Sequence, residues 1–236
     1  MRLLQGLLLE LRPLPVIATL IAVYLAFLQG GAQATIEIPL FFLSVFFLLY
    51  MVHFLDTYED YYVRKEDQFK TFTFAHGSGG LLKKEELIAC ALICSLMFFA
   101  IVLYLSSAGP AFLLLNLTAY AIGVSYSRYL SKNPFISLIS APVGALLAMC
   151  GVYLLSSGAI DLKIMAYSMP FFLLFCGATA WMDLADAKTD QKSGKPNASL
   201  VLGMRTAKRL GLSFLLGGLV FALGDGFPIL AAAALC

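Results

Sequence analysis

Five aspartates stand in two spaced groups. The stretch MDLADAKTDQKSGKPN, residues 182–197, carries Asp183, Asp186 and Asp190, and VHFLDTYEDYYVRKED, residues 52–67, carries Asp56 and Asp60. Spacings of three and four put the members of each group on one face of a helix. Like charges stacked in this way repel by roughly 0.2–0.5 kcal/mol per exposed pair, and more near lipid. A divalent cation is the simplest compensation, and carboxylate oxygens with several waters and a phosphate suit Mg²⁺ in particular. Bases flank the acids: Arg64 and Lys65 follow the first group, Lys192 and Lys195 follow the second, and Arg128 and Lys132 lie in a short polar connection between them. Acids, bases and a divalent ion together describe a diphosphate site, in which metal and cations share the phosphate charge.

The elements that must position these residues are greasy. The 236-residue chain is 61% hydrophobic and 13% charged, with a mean hydropathy of +0.88. A soluble domain carries roughly 25% charged residues, so the solvent for most of this chain is lipid. Apolar runs long enough to cross a bilayer, about 20 residues each, predict spans at 14–29, 37–55, 86–106, 110–127, 135–156, 164–182 and 208–223. An eighth apolar piece, FPILAAAALC, begins at Phe227 and reaches Cys236. The expected fold is an all-α polytopic membrane bundle of about eight segments, read as one domain over residues 1–236. Cys90, Cys94, Cys150, Cys176 and Cys236 all lie in apolar runs without paired spacing, and they read as small hydrophobes rather than disulfides or zinc ligands.

Charge alternates between the connections. Of the sixteen Lys and Arg residues, all but Lys163 fall in one set of loops. That asymmetry is the positive-inside pattern. It predicts a cytoplasmic N-terminus and cytoplasmic connections over 56–85 and 183–207, which hold both acid groups. An isoprenoid diphosphate would suit such a site, because its tail belongs in lipid and its head needs Mg²⁺.

The segment DLADAKTDQKSGKPNASLVLG, Asp183 to Gly203, resembles the second signature of the UbiA-type intramembrane prenyltransferases. Its three aspartates are followed by a Lys/Gly element, Lys192 to Lys195, and a closing Leu202-Gly203. The family's first signature, N-D-x-x-D-x-x-x-D, aligns its last two aspartates with Asp56 and Asp60. Its leading Asn-Asp falls on Val52 and His53. SGGLLKKEEL from Ser78, SYSRYLSKNPF from Ser125 and LRPLP from Leu11 are similar to further family elements in the same order; the family's Lys in the second of these falls on Ser131, with Lys132 next to it. The family has nine spanning helices, one more than the eight segments read here.

The resemblance implies Mg²⁺ held by Asp56, Asp60, Asp183 and Asp186, with Asp190 completing the catalytic acids. It also implies that Arg64, Lys65, Arg128, Lys132, Lys192 and Lys195 bind the diphosphate. His53 either orients the acceptor, takes its proton or packs at the helix end. The partners are a prenyl diphosphate, an aromatic or membrane-soluble acceptor and membrane lipid, with no nucleic acid. Ionisation of the C–O bond gives an allylic cation that the acceptor attacks. The connection from Asp60 to Ser78 resembles the dihydroxynaphthoate (menaquinone) branch; 4-hydroxybenzoate and a glycerol-phosphate lipid stay open. The alternative from another class is a transporter with cytoplasmic acidic gates, whose acids belong near the bilayer midplane on broken helices. Here they lie at the ends of apolar runs. The CDP-alcohol phosphotransferases are set aside, because they need one compact acidic motif.

Overall fold

A computed structural model describes residues 2–10, 12–31, 35–65 and 81–224. Among the described residues there are nine α-helices and no strand: α1 (Arg2–Glu10), α2 (Pro13–Gln29), α3 (Glu37–Tyr58), α4 (Lys84–Tyr104), α5 (Pro110–Tyr126), α6 (Pro134–Ser157), α7 (Leu162–Ser193), α8 (Ala198–Leu202) and α9 (Met204–Gly224). Five of these, extended by the turns that follow α3 and α4, are long and apolar enough to cross a membrane. The bent pair α1–α2 makes a sixth, and α5 is a shorter apolar helix of 17 residues. The expected all-α membrane bundle is therefore what the chain forms. The expected eighth segment from Phe227 lies outside the described residues.

Helix limits follow local chemistry. Pro13, Pro110 and Pro134 stand at helix starts, where the missing N–H costs nothing. Asn133 and Asp161 cap α6 and α7 by accepting backbone N–H groups. Gly158 and Gly194 end the same helices at φ 77° and 73°, a conformation that costs glycine little.

The expected first span, 14–29, is α2, and it is preceded by α1, which meets it at a 48° bend. A residue before proline is disfavoured in the α region, and Arg12, which precedes Pro13, takes φ 37°. The second acid group was expected in a loop after residue 182, whereas α7 continues for 32 residues to Ser193. The stretch after Trp181 holds no Gly or Pro until Gly194, so nothing in it stops a helix.

Close helix packing holds the bundle. An added Cβ at Gly177 of α7 would lie 2.6 Å from the Leu215 side chain of α9, and one at Gly218 would lie 2.8 Å from Leu174. Small residues at such crossings let helix backbones approach within lipid. The interior is aromatic: Phe41, Phe98 and Phe112 are fully buried, with the rings of Phe41 and Phe112 5.8 Å apart. Outward, α4 exposes Leu92, Leu96 and Leu103 along one face, the surface expected of a lipid-facing helix. Among the described cysteines Cys94, Cys150 and Cys176 are buried and Cys90 is half-buried, all as free thiols.

Candidate active site

The C-terminal end of α3 passes into a π-helical turn, Glu59–Val63, closed by Arg64 N–H donating to the Glu59 carbonyl at 2.8 Å. Such wide turns often occur at functional sites. Here the turn carries Asp60, which is buried, while Asp56 is half-buried one turn earlier. Arg64 donates to Asp60 Oδ1 at 3.3 Å, to the Ser127 carbonyl at 2.5 Å and to Ser131 Oγ at 2.8 Å. It thereby clamps the end of α3 to the α5–α6 connection. Ser127 Oγ donates to Asp56 Oδ1 at 3.3 Å.

At the C-terminal end of α7, Asp183 and Asp186 are half-buried and Asp190 is buried. The chain turns at Gly194, and Lys195 Nζ lies 3.3 Å from Asp60 Oδ1. The backbone N–H of Ala198 donates to Asp183 Oδ2 at 3.3 Å. Asp60, Arg64 and Lys195 therefore meet from two chain segments that are far apart in sequence.

Other expected site residues differ in their surroundings. Arg128 and Lys132 have exposed side chains stacked over the Tyr129 ring, at 5.6 and 5.9 Å. Tyr129 is itself exposed, so both contacts are weak surface cation–π pairs. Lys65 and Lys192 are exposed. Val52 packs toward α5, where a Cβ on Gly123 would come within 2.8 Å of its Cγ2. His53 is buried with Nδ1 3.2 Å from the Glu10 carbonyl oxygen. Asp67 and Ser78 to Gly80 lie outside the described residues.

Sequence reasoning missed three contributors. Arg12, within the LRPLP element, donates to Asp56 Oδ2 at 2.8 Å and to Thr57 Oγ1 at 2.9 Å. Glu10, fully buried, accepts from Thr57 Oγ1 at 2.9 Å. Asn197 donates to Asp190 Oδ2 and to the Asp183 carbonyl. The signal for the first two was a Glu and an Arg within a leucine-rich run that ends in Pro-x-Pro. For Asn197 it was a capping residue type directly before the apolar ASLVL.

The donor set fits Mg²⁺ by its chemistry. Among the described residues no three His, Cys, Asp or Glu side chains converge on one ion position. Mg²⁺ needs no such cage, because it is held by one or two carboxylates while phosphate oxygens and waters complete its shell. Paired carboxylates at the ends of α3 and α7 can supply that number.

The profile of the UbiA prenyltransferase family matches residues 15–236. No curated protein matches the chain by sequence. Among solved structures, a UbiA homolog from Archaeoglobus fulgidus bound to GPP and Mg²⁺ superposes with a TM-score of 0.77 at 17% identity, covering 100% of this chain and 85% of that one. An apo UbiA homolog from Aeropyrum pernix K1 gives 0.73 at 16% identity, covering 93% and 82%. A digeranylgeranylglyceryl phosphate synthase gives 0.67 at 14% identity, covering 94% and 77%.

Proposed function

The chain belongs to the UbiA prenyltransferase family, and we propose that it transfers a polyprenyl group from a prenyl diphosphate to a membrane-soluble acceptor. One observation carries the reading: Lys195 Nζ stands 3.3 Å from Asp60 Oδ1. That contact joins the two acid-bearing helix ends into one mouth at which apolar spans begin. The diphosphate would sit at this mouth, with the tail among the spans.

Asp56 and Asp60 on the α3 end, and Asp183 and Asp186 on α7, would hold Mg²⁺. When bound, the ion neutralises diphosphate charge and stabilises the leaving group. Arg64 and Lys195 would take further phosphate oxygens as the C–O bond breaks. The electron pair goes to the diphosphate, and the allylic carbon becomes cationic. An acceptor carbon or oxygen then attacks and loses its proton. The apolar surroundings keep water from the cation. Preorganised cations cost little reorganisation at that moment.

For the acceptor we propose an aromatic quinone precursor of the dihydroxynaphthoate type. The likeness to a digeranylgeranylglyceryl phosphate synthase favours a second reading, a glycerol-phosphate lipid alcohol. Fifteen of the sixteen basic residues fall on one side of the spans read from the sequence, which supports a cell-membrane protein with this mouth on the cytoplasmic face. The test is purified protein with Mg²⁺, radiolabelled prenyl diphosphates and a panel of both acceptor types, with Asp56→Ala and Asp183→Ala as controls. Transfer to one acceptor class, lost in both variants, is expected. Equal transfer by the variants would remove these acids from the mechanism, and no transfer to any acceptor would refute the reading.

A further inference from the structure

Asn197 is 2% exposed and uses its whole hydrogen-bonding capacity. Its Nδ2 donates to the Asp183 carbonyl at 2.8 Å and to Asp190 Oδ2 at 2.5 Å. Its Oδ1 accepts from the Ser199 N–H at 2.8 Å and from Ser199 Oγ at 2.5 Å. A primary amide has two donors and two acceptor sites, so all four are in use. Ser199 Oγ also lies 3.0 Å from the Asp183 carbonyl.

These bonds have a geometric consequence. The first and last aspartates of the second acid group are fastened to one side chain. The intervening chain is closed into a tight loop, with Gly194 at φ 73° and Lys195 N–H donating to the Asp190 carbonyl at 2.9 Å. From that loop the Lys195 side chain crosses to Asp60 at 3.3 Å. A helix cap alone would not require this residue. Capping α8 needs only an oxygen that accepts an N–H, which Asp or Ser supplies. Only an amide of this length caps α8 and also donates to both aspartates.

We propose that Asn197 is a positioning residue that holds Lys195 against Asp60 and fixes the Asp190 carboxylate, so that the diphosphate mouth is assembled before substrate arrives. Its kinetic consequence rests on the prenyl diphosphate reading above. Its geometric consequence does not. Partners that orient a site's primary groups typically cost ten- to a hundredfold when removed.

The geometric test uses a zero-length carbodiimide on the full-length protein in detergent, with the Asp60–Lys195 amide quantified by peptide mass spectrometry. Wild type should form this cross-link. Asn197→Ala should lower its yield about tenfold. Asn197→Asp keeps the acceptor that caps α8 while removing both donors, so it serves if the alanine variant does not fold, and it should lower the yield to a similar extent. An unchanged yield in Asn197→Asp, or no cross-link in wild type, overturns the proposal. The kinetic test is a cycle with Lys195→Ala. Asn197→Asp should raise KM for the prenyl diphosphate about tenfold in wild type and by clearly less when Lys195 is already absent, the remainder being the part that acts through Asp190. A full effect in both backgrounds would mean that Asn197 does not act through Lys195. Failure of the wild type to turn over would sink the functional reading alone, because the cross-link yields would still decide the positioning role.

Discussion

Lys195 Nζ and Asp60 Oδ1 stand 3.3 Å apart although 135 residues separate them in sequence. Arg64 donates to the same Asp60 oxygen from one helical turn away. Asp60 therefore orients two cations, one from its own helix and one from the loop after α7. Both side chains are largely sheltered, at 19% exposure for Lys195 and 11% for Asp60. Screening by water is weaker there than on an open surface. The pair fixes where positive charge stands between the two acid-bearing helix ends.

That arrangement makes Asp60 and Lys195 act as a unit. Lys195→Ala is expected to raise KM for the prenyl diphosphate about ten- to a hundredfold, in the range seen when groups orienting a site are lost. Asp60→Asn should produce a similar loss, and the double variant should be little worse than either single one. Steady-state kinetics of the three variants checks this. Losses that multiply would show that the two side chains work separately.

Arg128 and Lys132 are expected to contribute little to turnover. Both stack over the exposed Tyr129 ring rather than meeting the acids. Exposed substitutions of this kind change stability by no more than about 0.5 kcal/mol, so the variants should fold. Alanine at each position should leave kcat/KM nearly unchanged. A tenfold loss in either would place that cation on the substrate.

The sequence made the acids readable because their spacing is a local property: residues three and four apart share a helix face wherever that helix ends. It made the spans readable because lipid demands long apolar runs. It left unread which helices touch. That α7 carries Asp183 to Asp190 on one continuous helix is legible in the absence of Gly and Pro before Gly194, although the density of charge there marks the same stretch as a connection. The choice among the flanking bases was hidden. Arg64 and Lys195 reach Asp60 while Lys65 points to solvent, and only tertiary placement separates them. Arg12 and Glu10 escaped notice because their significance lies in a contact with α3.

The membrane orientation has its own check. Fifteen of the sixteen basic residues fall on one side of the spans read from the sequence, and the acid-bearing end of α3 meets the loop after α7. In a cysteine-free background, Lys192→Cys and Lys132→Cys should react with an impermeant maleimide only from the cytoplasmic face. Ile160→Cys, in the opposite connection, should react only from outside. All three positions are exposed, so access is not limiting. Labelling of Lys192→Cys and Ile160→Cys from the same side would overturn the span order.

His53 takes the place where the family's first signature has an aspartate, and its surroundings argue for a latch rather than a base. A carbonyl oxygen only accepts, so the 3.2 Å contact with Glu10 puts the hydrogen on His53 Nδ1. That bond secures the last residue of α1. From there Glu10 Oε2 accepts from Thr57 Oγ1, Thr57 Oγ1 accepts from Arg12 Nη2, and Arg12 Nη1 donates to Asp56. The imidazole thus helps place Arg12 against a proposed metal-binding acid without meeting substrate. His53→Leu leaves a buried carbonyl without its donor, and a loss of about 1–3 kcal/mol in stability is expected. His53→Asn offers an N–H at nearly the same distance from the backbone and should recover most of it. Thermal unfolding followed by the fluorescence of the single tryptophan, Trp181, measures both. The pH–rate profiles of wild type and His53→Gln should superimpose. If instead the wild-type rate falls on the acid side as the imidazole protonates, and that limb is missing in His53→Gln, then His53 takes the acceptor's proton and the latch is not its function.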